Sequence, residues 1–393
     1  MKELNINTKV GIVGSGTMGM GIAQVAATFG HNVFLYDINK DALENAKQKL
    51  INLFNRLVQK NKFTGDEAGS ILNKINFVND LNRLNECGFI VEAVTENLEV
   101  KQRLFTSLEK IVQTETVLAT NTSSLSITSI ASSCKDYSRI IGTHFFNPPP
   151  LMPLVEVVPG LLTSEEITGA VIKLMNDWKK IPVIAKDTPG FIVNRVARPF
   201  YGEALRILEE GIADAATIDR AMKVVGKFKL GPFELMDLIG NDVNYKVTET
   251  VFEQFYFDPR YKPSITQKRM VEANLLGRKT GRGFYDYSEN AVHPEPNKDE
   301  NLAIEIFFRI LSMLINEAAD AVFMNIAAVE EIDLAMTKGV NYPKGLLRWA
   351  DEIGIEKVVK RLNLLNEVYG EDRYRVSPLL KRMAKQKQKF YNS

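Results

Sequence analysis

Residues 10–37 read VGIVGSGTMGMGIAQVAATFGHNVFLYD. Four apolar residues, Val10 to Val13, run into a glycine-rich turn, a helix-like stretch as far as Gly30, and a second apolar run that ends on Asp37. Strand, turn, helix and strand in that order make a βαβ unit. GSGTMG fits G-x-G-x-x-G at Gly14, Gly16 and Gly19. Gly14 permits the tight turn, Gly16 the close approach of a diphosphate, and Gly19 the packing of helix on strand. A diphosphate would then lie at a helix N-terminus, where free N–H groups and the helix dipole favour negative charge. Asp37 follows Gly19 by 18 residues. A carboxylate there accepts hydrogen bonds from a ribose 2′-hydroxyl and repels a 2′-phosphate, so NAD is expected rather than NADP. The expected cofactor loop is Gly14, Ser15, Gly16, Thr17, Met18 and Gly19, with Asp37 beyond it.

Outward from this unit, short apolar runs follow at residues 75–78, 89–94, 116–121, 139–146, 154–158 and 181–187. Helix-period segments separate most of them; in one, Leu43, Ala46, Leu50, Leu53, Phe54 and Leu57 share a face. Strands alternating with helices predict a mostly parallel sheet, an α/β Rossmann-type domain over residues 1–187. Beyond Thr188 the pattern turns helical, predicting an all-α domain at 188–288, a polar linker at 289–300 and a second helical domain at 301–393.

The second helical segment repeats the first. Glu203, Ile218, Asp219, Gly231, Asp237 and Gly240 recur as Glu317, Ile332, Asp333, Gly345, Asp351 and Gly354, each 114 residues on. So many matches at one offset imply a duplicated unit. Asn194-Arg195 of the first copy becomes Phe308-Arg309 in the second. Only one copy keeps the asparagine, which marks the other as structural.

Composition narrows the function classes. The 393 residues carry 49 basic and 48 acidic side chains, a formal charge of +1. Nucleic-acid binders show a basic excess or stripe, and neither is present. No apolar run approaches the ~18 residues of a membrane span, and the first residues lack the apolar core of a signal peptide. The two cysteines, Cys87 and Cys134, are too few for a disulfide framework or a thiolate metal site. A soluble, cytosolic protein without nucleic-acid, membrane or metal partners is expected.

HFFNPPPLMPLVEVV, residues 144–158, holds one of only three histidines. His144 ends a strand of the nucleotide sheet on its carboxyl side, where ligands bind in open α/β sheets. Glu156 stands alone in an apolar strand, where an ionised carboxylate is costly unless paired. A glutamate on one imidazole nitrogen fixes the tautomer and leaves the other nitrogen to exchange a proton. The prolines would stiffen the turn that lets Glu156 reach His144. His31, a turn residue after Gly30, and His293, in the linker, read as solvent-facing. TNTSSLS, residues 120–126, is either a helix N-cap or a hydroxyl cluster that orients substrate.

Taken in order, GSGTMGMGIAQVAA, VEAVTENLEVK, TNTSSL, HFFNPPPLMPLVEVV, DTPGFIVNR and GRKTGRGFYDY resemble the L-3-hydroxyacyl-CoA dehydrogenase family, including 3-hydroxybutyryl-CoA dehydrogenases. The likeness covers residues 8–288, and the duplicated helical unit is similar to that of multifunctional fatty-oxidation proteins. The resemblance implies NAD-dependent, reversible oxidation of (S)-3-hydroxyacyl-CoA, with short chains expected, in fatty-acid or butanoate metabolism. It implies His144 as acid/base with Glu156 behind it, and Ser123 and Asn194 as contacts of the reacting oxygen. For the cofactor it adds Glu96, Lys101, Ser123, Asn147 and Lys279, and for coenzyme A, Lys60. A family serine that touches coenzyme A falls at Leu53 here. In single-copy relatives the helical domain forms the dimer interface, so either a monomer or a homodimer is expected. Two other readings stand beside this one: a dehydrogenase of free hydroxy acids similar to L-gulonate dehydrogenase, and a non-catalytic NAD-binding structural protein.

Overall fold

A computed structural model describes residues 3–391 apart from His293. The chain divides into two compact units, Met1–Phe191 and Ile192–Ser393.

The first unit is built on eight strands: β1 (Val10–Val13), β2 (Val33–Tyr36), β3 (Ile75–Val78), β4 (Phe89–Glu92), β5 (Val117–Thr120), β6 (Ile140–Phe145), β7 (Leu154–Pro159) and β8 (Ile181–Ile184). They form one sheet in the order β3-β2-β1-β4-β5-β6-β7-β8. Each apolar run of the sequence supplies one strand. The pairs are parallel except β6 with β7, which run antiparallel. Every residue of β1, β4 and β5 is buried, because helices cover both faces of a parallel sheet. The order reverses between β1 and β4, and at such a switch point a crevice opens at the carboxyl ends of the strands.

Six helices flank the sheet: α1 (Thr17–Thr28), α2 (Lys40–Gln59), α3 (Gly65–Asn73), α4 (Leu98–Ile111), α5 (Ile127–Ala131) and α6 (Glu165–Asp177). Asn39 starts α2 by accepting from the Asp41 and Ala42 amides, satisfying two donors that a helix end leaves free. Leu43, Ala46, Leu50 and Phe54 of α2 are buried, whereas Leu53 and Leu57 are half-buried.

His31 departs from its expected exposure. Its ring is 2% exposed, with Nδ1 2.9 Å from the Thr8 carbonyl and its edge on Trp178, 5.6 Å between centroids. Burial holds the imidazole below its ordinary value. A turn residue by local pattern, His31 is claimed by a tryptophan 147 positions further along the chain. The expectation for His293 lies outside the described residues. Cys87 and Cys134 are free and buried, and burial pushes their thiols up to about 12 and about 11.

The second unit contains eleven helices among the described residues. The first six are α7 (Val193–Val196), α8 (Arg198–Glu209), α9 (Ala215–Val224), α10 (Pro232–Ile239), α11 (Asn241–Gln254) and α12 (Ile265–Glu272). Then come α13 (Glu300–Phe323), α14 (Val329–Gly339), α15 (Leu346–Ile353), α16 (Ile355–Tyr369) and α17 (Pro378–Gln386). At the 114-residue offset α15 coincides with α10, α14 starts with α9 and α16 with α11, while α13 fuses the equivalents of α7 and α8.

The copies exchange buried ions reciprocally. Arg195 Nε meets Glu317 Oε1 at 2.6 Å, and its counterpart Arg309 Nε meets Glu203 Oε1, also at 2.6 Å. Tyr261 Oη donates to Glu317 and Tyr374 Oη to Glu203. Residue i on j with j′ on i′ is the signature of a two-fold interface, here within one chain. Burial pushes the Glu317 carboxyl up, but Arg260 and Arg195 hold it below its usual range. No helix among the described residues is long and apolar enough to cross a membrane.

Candidate active site

The cofactor loop takes the shape its glycines require. Gly14 sits at φ +105°, which side-chain-bearing residues rarely adopt. A Cβ on Gly19 would come within 1.8 Å of the Gly14 carbonyl oxygen, whereas one on Gly16 would meet nothing within 4 Å. Gly19 therefore serves the helix–strand contact, and Gly16 keeps an open face at the start of α1. Ser15 donates from its amide and hydroxyl to Asp37 Oδ2, at 2.8 and 2.7 Å. Burial pushes Asp37 up, but the Asn39 amide and Ser15 outweigh it and hold the carboxyl below its ordinary value. An ionised acid at the end of β2 and an open, small-residue helix start fit an adenosine diphosphate with free ribose hydroxyls. Thr17 and Met18 open α1 itself.

The two glycines make separable predictions. Gly16→Ala should leave the melting temperature within roughly 2 °C while weakening NADH binding about tenfold, ~1.4 kcal/mol. Gly19→Ala should lower both stability and NADH affinity. Thermal melts and NADH titrations check this, and a Gly16→Ala protein that binds NADH normally contradicts the loop's role.

A second cluster forms where β4 and β5 end. The Glu96 carboxylate accepts from Thr122 Oγ1 at 2.5 Å, the Ser123 amide at 2.9 Å and the Ser124 amide at 3.2 Å. Lys101 is 1% exposed; its Nζ lies 2.6 Å from Glu92 and 3.3 Å from Glu96. Burial pushes Glu96 up, and Lys101 with Thr122 more than offsets this, leaving it below its usual range. Glu96 and Lys101 thus brace the Ser123 loop, with Lys101 beneath it. The N-cap within TNTSSLS is Ser126, whose oxygen accepts from the Ser129 amide.

Glu92 was not foreseen as a site residue. Its Oε1 accepts from Lys101 and the Val94 amide, both at 2.6 Å, and its Oε2 from Thr120 Oγ1 at 2.6 Å. The signal that singled out Glu156, one acid in an apolar strand, was present at Glu92 too.

His144 and Glu156 are direct partners in the antiparallel β6–β7 ladder. Facing residues of such a ladder project from the same side, and Nδ1 lies 2.6 Å from Glu156 Oε2. Glu156 is fully buried and His144 is 7% exposed. Phe146 and Phe191 flank the imidazole at centroid distances of 4.5 and 6.0 Å. Anchoring Nδ1 leaves Nε2 as the nitrogen able to exchange a proton.

The turn between β6 and β7 carries Asn147, which is exposed. The Leu151 and Met152 amides donate to the Pro148 carbonyl at 3.0 Å, and buried Lys180 donates to the Pro149 and Met152 carbonyls. With no carboxylate on it in the described residues, Lys180 is pulled by burial down to about 8. Beside this turn lies a cavity of about 980 Å³, with Leu53, Leu57 and Phe63 in its apolar wall and Lys49, Arg56 and Lys62 among its lining. Lys60 is the exposed C-cap of α2 and is not among the lining residues.

Asn194 and Lys279 belong to the second unit. Asn194 is half-buried on α7, and Lys279 pairs with Asp242 at 2.6 Å. The second copy carries Phe308 in place of Asn194, and it lacks the stretch that holds Lys279. There Asp351 accepts from the Phe390 and Tyr391 amides as Asp237 accepts from those of Phe284 and Tyr285, an offset of 106 rather than 114.

A glycine-loop crevice and an imidazole–carboxylate pair on one sheet define an NAD-dependent oxidoreductase. The 3-hydroxyacyl-CoA dehydrogenase NAD-binding domain matches residues 9–188, and the C-terminal domain of the same enzymes matches twice, at 190–287 and 306–391. The chain belongs to the 3-hydroxyacyl-CoA dehydrogenase family. It is 37% identical to the 3-hydroxyadipyl-CoA dehydrogenase of Escherichia coli K12, over 97% of this chain and 98% of that one. It is 40% identical to the 3-hydroxybutyryl-CoA dehydrogenase of Clostridioides difficile, over 72% of this chain and 100% of that one. A solved structure named 3-hydroxybutyryl-CoA dehydrogenase, from Escherichia coli K12, superposes with a TM-score of 0.91 at 36% identity, covering 98% and 99% of the two chains.

Proposed function

We propose that the chain catalyses the reversible NAD-dependent oxidation of short-chain (S)-3-hydroxyacyl-CoA to 3-ketoacyl-CoA, in fatty-acid or butanoate metabolism of the cytoplasm. The observation that carries this reading is the 2.6 Å bond between His144 Nδ1 and buried Glu156. The bound nicotinamide supplies the hydride chemistry. In the oxidative direction neutral His144 takes the C3 hydroxyl proton at Nε2, and Glu156 stabilises the imidazolium that results. In reduction the same nitrogen returns the proton. Ser123, held by Glu96, positions the reacting oxygen, and the family resemblance gives Asn194 the same task. Asn147 and Lys279 are cofactor contacts on that resemblance.

The cavity beside the Pro148–Leu151 turn suits coenzyme A, with apolar walls for the pantetheine arm and Lys49, Arg56 and Lys62 for phosphate. Leu53 adds to the wall where a family serine would stand, so cations rather than a hydroxyl serve the carrier here. The names of the relatives point to four-carbon and six-carbon acyl chains.

The test is NADH consumption with acetoacetyl-CoA, set against free 3-keto acids. Turnover in the ordinary enzymatic range of ~1–10³ s⁻¹ is expected with the thioester, and kcat/KM at least about 100-fold lower with the free acid, which forfeits the binding energy of the remote carrier. Activity on free acids alone would transfer the chain to the hydroxy-acid dehydrogenases, and no NADH oxidation with either would leave it a structural protein.

A further inference from the structure

Gln24 stands on the face of α1 that lines the cavity beside the Pro148–Leu151 turn. It is 6% exposed, and the exposure it keeps is toward that cavity. Among the described residues nothing donates to its amide oxygen and nothing accepts from its amide nitrogen. Three residues earlier, a Cβ on Gly21 would come within 2.7 Å of Pro149 Cδ, so the proline turn closes directly on this part of α1. A buried amide is costly unless it is hydrogen-bonded. This one needs a partner that enters from the cavity.

The surrounding wall has little else to offer an uncharged polar ligand. Pro148, Pro149, Pro150 and Pro153 carry no N–H. The Leu151 and Met152 amides are spent on the Pro148 carbonyl, and Lys180 occupies the Pro149 and Met152 carbonyls. Beyond its first turn, α1 uses its backbone in helical bonds. Thr17 and Thr28 line the same cavity but are exposed. Of the buried lining side chains, Trp178 and Lys180 are donors without an acceptor. Among the described residues, Gln24 is the buried lining side chain that still has a donor and an acceptor free.

We propose that Gln24 is a binding residue for the pantetheine arm of the acyl carrier, hydrogen-bonded to the arm's amides. The inference rests on the reading of this cavity as the coenzyme A site. The arm is uncharged and carries two secondary amides in succession, each with one N–H and one carbonyl. A primary amide has a group for each kind: its oxygen accepts from an N–H of the arm, and its nitrogen donates to a carbonyl. The cations Lys49, Arg56 and Lys62 suit the phosphates but supply no acceptor. Contacts this far from the reacting carbons are the same in ground and transition states, so they act on KM rather than on kcat.

The test is Gln24→Met, which keeps the length of the side chain and removes both hydrogen-bonding atoms. Three acetoacetyl thioesters are compared: that of coenzyme A, that of pantetheine, and the S-ethyl thioester, which has no amide. With the first two, kcat/KM should fall roughly 5- to 30-fold, the worth of one or two hydrogen bonds, and the fall should lie in KM. With the S-ethyl thioester it should not change. Without ligand the variant should melt no lower than the native chain, because the amide it loses has no partner to give up. An equal loss on the S-ethyl thioester, or a lower melting temperature, makes Gln24 a structural residue and overturns the proposal. A loss with coenzyme A but not with pantetheine places its contact on the nucleotide, which also overturns it. Inactivity of the native chain on all three thioesters is a failure of the enzymatic reading instead. Free coenzyme A in a thermal melt then decides for Gln24: it should stabilise the native chain more than Gln24→Met, and equal stabilisation overturns the proposal.

Discussion

Replacing His144 by alanine should lower kcat by at least about two orders of magnitude, the lower end of what a positioned acid–base group supplies, with NADH affinity little changed. The imidazole is the only proton-transfer group that the β6–β7 ladder brings to the carboxyl end of the sheet with a buried acid behind it. The cofactor loop lies at the other side of the switch point, on β1 and α1, so its contacts do not run through the ring. Glu156→Gln probes the brace separately. A neutral amide keeps the shape but withdraws the charge that stabilises imidazolium, so kcat should fall and its pH profile should move. Steady-state kinetics on acetoacetyl-CoA with NADH titrations decide both. Near-native turnover in His144→Ala removes the mechanism, and an unchanged pH profile in Glu156→Gln removes the pair's role. Because alanine also empties a buried position, His144→Asn serves as the folded control, and the same loss of kcat is expected.

The second large effect concerns stability. Arg309→Met should destabilise the chain by about 3–5 kcal/mol, the usual result of removing one partner from a buried ion pair. Arg309 is 4% exposed and Glu203 2%, and the guanidinium also reaches Glu210 at 2.7 and 2.9 Å and Tyr374 at 2.9 Å. At ~2–4 °C per kcal/mol for a domain of about 200 residues, the melting temperature should drop roughly 10 °C. Adding Glu203→Leu should recover much of the loss, since two apolar groups in place of a buried pair are often nearly neutral. A single mutant that melts within about 2 °C of the native chain would show that the reciprocal pairs do not hold the two copies together.

How much of this was legible in the sequence depends on the range of the interaction concerned. The eight strands were, since each is a short apolar run, and those in the middle of the sheet are buried along their whole length. The His144–Glu156 contact was legible because an acid in LVEVV has few ways to survive burial. Glu92 sent the same signal from FIVEAV and went unread, because its partner Lys101 sits in a helix that looks solvated by pattern. His31 misled for the opposite reason: its turn is polar, while the Trp178 that buries it belongs to a distant helix end. The repeat of Phe284-Tyr285 as Phe390-Tyr391 was hidden by a deletion that changes the offset. Arg198 gave no sign, since arginine in a helix is normally exposed, and only the structure shows that no acid among the described residues pairs with its charge.

Fusing two helical copies into one chain has an evolutionary meaning. When a two-fold interface is made by identical subunits, every substitution appears twice, and a change useful on one flank is imposed on the other. A covalent tandem breaks that bond of inheritance. The arginine–glutamate crossing that joins the halves is mirrored, while Arg198 and Tyr342 stand where the other copy has Ser312 and Phe228. One half was thereby free to keep Asn194 while its twin carries Phe308 at the equivalent position.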